Sequence, residues 1–253
     1  MTVEEAATDE AAQARALSAA WALSAAGLRD PDEGLVAALA DGEFLGEADR
    51  ALAALDPALP GEWERFRRAA AAAGREGLRQ ERARILGHAV RGPCPPYEIE
   101  YGPEHFLGKS RRLGDVAAFY KAFGVEVSLE AHEREDHAAM EAEFLSLLAL
   151  KRALAADRGE TERVAVCRDA ERLFLEEHIG RFLPAFARRV EEREPASALA
   201  AAARLAVETA NLHAGLVKAR LGSPDMELRE LGTLEEETVI SCSSCTVPGA
   251  KEV

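Results

Sequence analysis

An all-α fold is predicted by three features of the 253-residue chain. Alanine is the commonest residue and Leu, Glu and Arg are abundant, a vocabulary of strong helix formers. Aromatic residues make up only 6% of the sequence, so the side chains that sheets favour are scarce. Apolar residues recur every three or four positions almost throughout, the period of a helix with one buried face. The length suits one domain that buries a sizeable core without disulfides or metals. The expectation is a helical bundle over residues 1–222 and a flexible tail over 223–253.

The elements follow in order. Leu17, Trp21, Ser24 and Leu28 fall on one stripe of a first helix, which Gly27 and Pro31 are expected to stop. Short helices are predicted around 35–40, 45–55 and 63–73, divided by the turn signals Asp41-Gly42, Asp56-Pro57 and Pro60-Gly61. RGPCPPYEIEYGP, residues 91–103, carries four prolines and two glycines and predicts a loop, because no helix interior accepts them. Beyond it helices are expected over about 113–123, 136–157, 161–179, 182–194 and 196–221, packed antiparallel because their connections are short. After Gly222 the helical stripe ends, and an acidic run with small polar residues predicts the tail.

Charge and motifs narrow the function. Lys plus Arg total 31 against 45 Asp plus Glu, a net charge of −14, which argues against coating nucleic acid or an anionic membrane. The first ten residues hold no Lys or Arg, unlike the basic start of a secretory signal. The longest uncharged apolar run, Ala16 to Leu28, is shorter than the roughly 18 to 20 residues that span a bilayer. Together with four cysteines that read as reduced thiols, these features predict a cytoplasmic protein. No histidine has Glu three positions before it and HExxH is absent, so the common helical metal sites are excluded. Cys242-x-x-Cys245 reads as two solvated thiols in the tail, with half of a zinc site or a redox pair as the alternatives, and no metal or other cofactor is expected. Eight arginines between Arg65 and Arg91 read as a solvated helix face with an anionic contact as the alternative. Seven acids between Glu126 and Glu143 (126, 130, 133, 135, 136, 141 and 143) face only Arg134, and such a mouth attracts a basic target at low salt. Asp136 fits either this role or the N-cap of the long helix, and His137 fits either a site or a satisfied half-buried histidine.

Four segments then form a pattern. PPYEIEYG (95–102), DVAAFYKAFG (115–124), EREDHAAMEAEFLSLLALK (133–151) and FLEEHIGRFLPAFARRV (174–190), in this order, resemble the TorD/DmsD/NarJ family of molybdoenzyme-specific chaperones. The resemblance covers roughly residues 85–190, and the N-terminal helices match in character. Its flavour is nearest the chaperones that accompany dimethyl sulfide dehydrogenase, ethylbenzene dehydrogenase, and selenate or chlorate reductases. It implies a TorD-like helical bundle without catalytic activity. It further implies a partner: the apo catalytic subunit of a molybdenum-cofactor oxidoreductase, bound often through its twin-arginine signal peptide until cofactor is inserted. The family's acidic-plus-histidine pair falls on Asp136 and His137, and its Pro-Tyr-Glu loop on Pro96, Tyr97 and Glu98, with Tyr101 following. A receptor for a basic segment followed by an apolar one needs carboxylates beside a greasy groove. Asp136 and Glu141 are expected to supply the first, and Phe119 with Tyr120, Phe123 and Phe144 the second. The protein is expected to be a monomer or a homodimer. The alternatives are a stable helical subunit of a mature complex, suggested by the Ala-rich stripes, and a metal- or thiol-dependent helical enzyme, suggested by His137 and the cysteine pair.

Overall fold

The computed structural model describes residues 3–87, 91–103, 106–128 and 133–229; Glu130 and the Cys242/Cys245 pair lie outside them. Among the described residues there is no strand, and nine α-helices follow one another: α1 Val3–Leu28, α2 Glu33–Ala40, α3 Gly42–Leu55, α4 Leu59–Leu86, α5 Phe106–Ala122, α6 Ala138–Asp157, α7 Thr161–Glu177, α8 Ile179–Arg193 and α9 Ala198–Val217. None of these helices is long and apolar enough to cross a membrane.

The first helix is central. It packs against α6, α9 and α3, and Leu17, Ala20, Trp21, Ser24 and Leu28 are all buried. Gly27 lies inside α1 and does not stop it. A Cβ there would sit 2.6 Å from Cβ of Ala202 on α9, so the glycine is what lets the two helices cross closely. Asp32 and Asp41 cap α2 and α3 by accepting from the backbone of Leu35 and of Glu43 and Phe44. The helix expected over 63–73 continues to Leu86 through a break at Gly74, whose φ of 62° and ψ of 174° no helix interior holds. Beyond the break, Glu81 turns inward and accepts from the amides of Ala198 (3.1 Å) and Leu199 (3.0 Å), capping α9 from a different helix.

Two features of the C-terminal half matter for the site. Pro184 in α8 has no N–H for the carbonyl of Gly180 four residues earlier, and the amide of Gly222 takes that carbonyl at 2.9 Å. From there residues 222–229 are laid across the loop at Glu100–Gly102, with Tyr101 and Leu228 paired antiparallel. The stretch expected to be flexible from residue 223 is therefore tied down through Arg229. Most of the basic segment of α4 is a solvated face with in-chain acids, Arg65 with Glu62, Arg68 with Glu64, Arg75 with Glu33 and Arg84 with Glu194, but Arg82 is buried and donates to Leu28 O at 2.6 Å.

Candidate functional site

The proline-rich loop cannot satisfy its own backbone as a helix would, and it is sewn instead to the start of α6. Pro96 O accepts from Ala138 N at 2.8 Å, Glu98 N donates to Asp136 O at 2.9 Å, and Tyr97 pairs with His137. Only one 3-10 turn, Glu98–Glu100, interrupts the loop. Its two tyrosines are used differently. The Tyr101 hydroxyl donates to Pro95 O at 2.9 Å inside the protein, and the ring packs on Phe182. Tyr97 is half-buried, donates to Glu133 at 3.0 Å and carries the Arg134 guanidinium 4.4 Å over its ring. Burial and the Glu133 carboxylate push its phenol up to about 12.

Glu98 is the hub. It is fully enclosed and meets Arg112 of α5 at 3.1 Å, Arg181 of α8 at 3.2 Å and the Nδ1 of His178, between α7 and α8, at 3.1 Å. Burial alone would raise its carboxyl, but the bond to His178 and the charges of Arg181 and Arg112 hold it below the ordinary carboxylate range. Glu141, one turn into α6, is also fully buried, and neither of its oxygens has a hydrogen-bond partner among the described residues. Desolvation, with the negative charges of Glu98 and Asp136 beside it, lifts this carboxyl well above its usual range.

Asp136 does not cap α6. Its side chain accepts from Ile99 N at 3.2 Å and from Arg134 at 2.8 Å, and burial pushes its carboxyl up to about 6 against the pull of Arg134. The cap is His137, whose Nδ1 accepts from Ala139 N at 3.0 Å. Burial, then the charges of Arg82 and Arg134, drive this imidazole down to about 3, so it is neutral. Phe119 is half-buried and meets Phe174 and His178 edge to face, with centroids 5.4 and 5.2 Å apart. Tyr120, Phe123 and Phe144 belong to the same aromatic cluster.

The structure therefore brings Tyr97, Glu98, Tyr101, Phe119, Asp136, His137 and Glu141 to one junction, the first and fourth half-buried and the others buried, and not as an open acidic mouth beside a greasy groove. The reason is physical: each ionised carboxylate removed from water has found a cation of its own chain, and the aromatic rings have found one another. The acidic run divides accordingly. Asp136 and Glu141 turn inward, Glu133 holds Tyr97, Glu143 pairs with Arg29 at 3.4 Å, and Glu126 is exposed. Arg112, His178 and Arg181 had no assigned role in the sequence, although the last two lie in FLEEHIGRF; Glu98 is 14 residues from Arg112 and 80 or more from the other two, beyond the reach of local spacing.

The open apolar concavity lies elsewhere. A groove of about 900 Å³ runs between α1, α2 and α3, with Ala16, Ala19, Ala22, Ala48 and Ala51 in its lining and Glu47 and Glu143 at its rim. Trp63 forms part of it, and its indole N–H has no partner among the described residues. The sequence signal was the run of alanines along α1, which small side chains leave as a channel. No cluster of three His, Cys, Asp or Glu that could hold a metal occurs among the described residues.

Comparison with known proteins follows this geometry. The family model for the nitrate reductase delta subunit matches residues 52–188, just over half of the chain and including the loop, α5, α6, α7 and most of α8. The chain is 34% identical over 102 residues to the selenate reductase assembly chaperone protein of Thauera selenatis, covering 40% of this chain and 51% of that protein. It is 31% identical over 117 residues to the chaperone protein TorD of Vibrio cholerae serotype O1 strain M66-2, covering 46% and 51%. The chain thus spans about half the length of the curated relatives it matches. No solved structure matches it at a significant level.

Proposed function

The chain belongs to the nitrate reductase delta subunit family, that of TorD and NarJ, and from that premise we propose that it is a non-catalytic cytoplasmic maturation chaperone. Its client is the apo catalytic subunit of a molybdenum-cofactor oxidoreductase, held through its twin-arginine signal peptide until cofactor is inserted and the subunit is assembled. The observation that carries this reading is the alanine-lined groove. An apolar signal segment of about 7 to 15 residues folded as a helix is roughly 10 to 22 Å long, and small groove side chains let such a helix approach closely. Trp63 backs the groove from the core side and is 1% exposed, so it shapes the wall without presenting its indole N–H to an occupant. In this reading Glu98, Asp136, His137, Glu141, Tyr101 and Phe119 position the loop, and Tyr97 with Glu133 is its accessible edge.

The test is calorimetric titration with the signal peptide of the oxidoreductase encoded beside the protein. Binding is expected, weaker at raised salt, and at least about tenfold weaker when both arginines become glutamine, one factor of ten being 1.4 kcal/mol. Ala22 is exposed in the groove, so Ala22→Glu should weaken binding by a similar factor with the unfolding midpoint unchanged. Equal affinity for the native and arginine-free peptides would remove the twin-arginine part of the reading. A second reading, a stable helical subunit of the mature enzyme, is favoured by the exposed Leu150 and Leu154 of α6 and Val166 and Leu173 of α7. Stoichiometric co-purification with the cofactor-loaded enzyme would support it, whereas a chaperone is released.

A further inference from the structure

In an all-helical protein nearly every backbone amide and carbonyl is used within its own helix, so extended backbone that can accept a strand is rare. Glu100–Gly102 is such an edge. Here the carbonyl of Glu100 accepts from Arg229 N at 2.9 Å, and the amide of Gly102 donates to Glu227 O at 2.9 Å. The segment that fills the edge is the chain's own residues 226–229. It is held by the Gly222 amide on the carbonyl that Pro184 leaves free, by Arg181 Nη1 3.8 Å from the sulfur of Met226, and by two exposed ion pairs, Arg188 with Asp225 and Arg189 with Glu227. Two strand hydrogen bonds, two solvated ion pairs and the packing of Leu228 and Arg229 are a smaller hold than that of a helix in the core.

The sequence of that segment is informative. Leu228 sits opposite Tyr101 and packs on the core, and Arg229, the next residue, is only 6% exposed beside the loop that carries Glu98 and Glu100. The edge is thus occupied by an extended strand bearing an apolar residue followed by a buried arginine. We propose that residues 226–229 are an internal stand-in for the client: the Glu100–Gly102 edge pairs with an extended, arginine-bearing segment of the apo subunit, which displaces the chain's own strand. The proposal rests on the chaperone reading and specifies its recognition mode, strand addition at one backbone edge. Because the resident strand is covalently attached, it competes at a high effective concentration and sets a threshold that only a segment gripped elsewhere as well can exceed.

Two full-domain variants release the strand. Gly222→Val places a side chain where Cβ alone would be 1.9 Å from the carbonyl of Arg181, and a chain ended after Asp225 removes the strand itself. The probes are a synthetic peptide with an Arg-Arg pair ahead of a Leu/Ala stretch, and the octapeptide Ser223–Glu230. Both variants should bind the Arg-Arg peptide at least tenfold more tightly than the wild type, and should bind the octapeptide, which the wild type refuses. In the wild type, which needs no variant to fold, the Arg-Arg peptide should speed hydrogen exchange at the Arg229 amide while Gly102 stays protected. Peptide binding of equal strength in all three proteins, with Arg229 still protected in the complex, would overturn the proposal and leave the chaperone reading standing. No binding of either peptide to any of them would end both the proposal and the signal-peptide part of that reading.

Discussion

At Glu98 and Glu141 the chain places two carboxyl groups in one enclosed space, and their different partners decide which keeps the charge. Glu98, with two arginines and His178, is the ionised one; its replacement by glutamine should destabilise the fold by roughly 3 kcal/mol in urea unfolding, since the arginines lose their counter-charge. Glu141→Gln, by contrast, replaces a carboxyl whose charged form burial disfavours and should stay within about 1 kcal/mol of wild type. Asp136 sets a pH dependence of the opposite sign from Glu98. Its carboxyl is raised to about 6 in the folded protein, so the folded state holds a proton that the unfolded chain has already lost. Its contribution is therefore fully present below the ordinary value of 3.8 and is lost as pH rises through 6. Relative to Asp136→Asn, the wild type should lose on the order of 2 kcal/mol between pH 4 and pH 6, measured by denaturant melts at each pH. For Glu98 the depressed carboxyl contributes above the unfolded value and is lost as pH falls through the folded one, so its part of the stability disappears in acid.

At the scale of elements, the helical stripes were legible and their ends were not always so. The 3.6-residue period located every helix from α5 to α9 to within a few residues, apart from the early start of α5, because each buries one face against neighbours of the same chain. It stopped α4 too early, since Gly74 reads as a terminator although the helix resumes beyond it. It left Asp136 open between the acidic site and the cap that His137 holds, because the partner that decides it, the amide of Ile99, is 37 residues distant. Gly27→Val forces a side chain into Ala202 at the α1–α9 crossing and should lower stability by about 2 kcal/mol. Glu171 on α7 joins Arg152 of α6 at 2.9 Å and His213 of α9 at 3.0 Å, and His213 in turn accepts from the Trp21 indole at 3.0 Å. Glu171→Ala leaves a buried arginine without this counter-charge and should lower stability by about 3 to 5 kcal/mol in equilibrium unfolding.

Across the whole molecule, the family match begins at residue 52, yet α1 runs through the middle of the bundle against α6, α9 and α3. A chain that starts at Asp30 should therefore lose cooperative unfolding altogether, as followed by far-ultraviolet circular dichroism, and not merely lose a peripheral helix. The all-α class and the convergence of the loop with α6 could be anticipated from proline placement and the order of four segments. The burial of the junction could not, because it depends on arginines brought in from α5 and α8. The position of the groove follows from how α2 and α3 fold back over α1, which no single stripe encodes.

The tryptophans give this geometry an optical consequence. The chain has two, Trp63 in the wall of the groove and Trp21 inside the bundle on His213, and they report on different places. In a Trp21→Phe protein the emission of the remaining indole would act as a gauge of the channel, shifting colour when an occupant repacks the wall around it. The molecule thus carries its own unlabelled dye, and guest loading can be timed in a stopped-flow mixer.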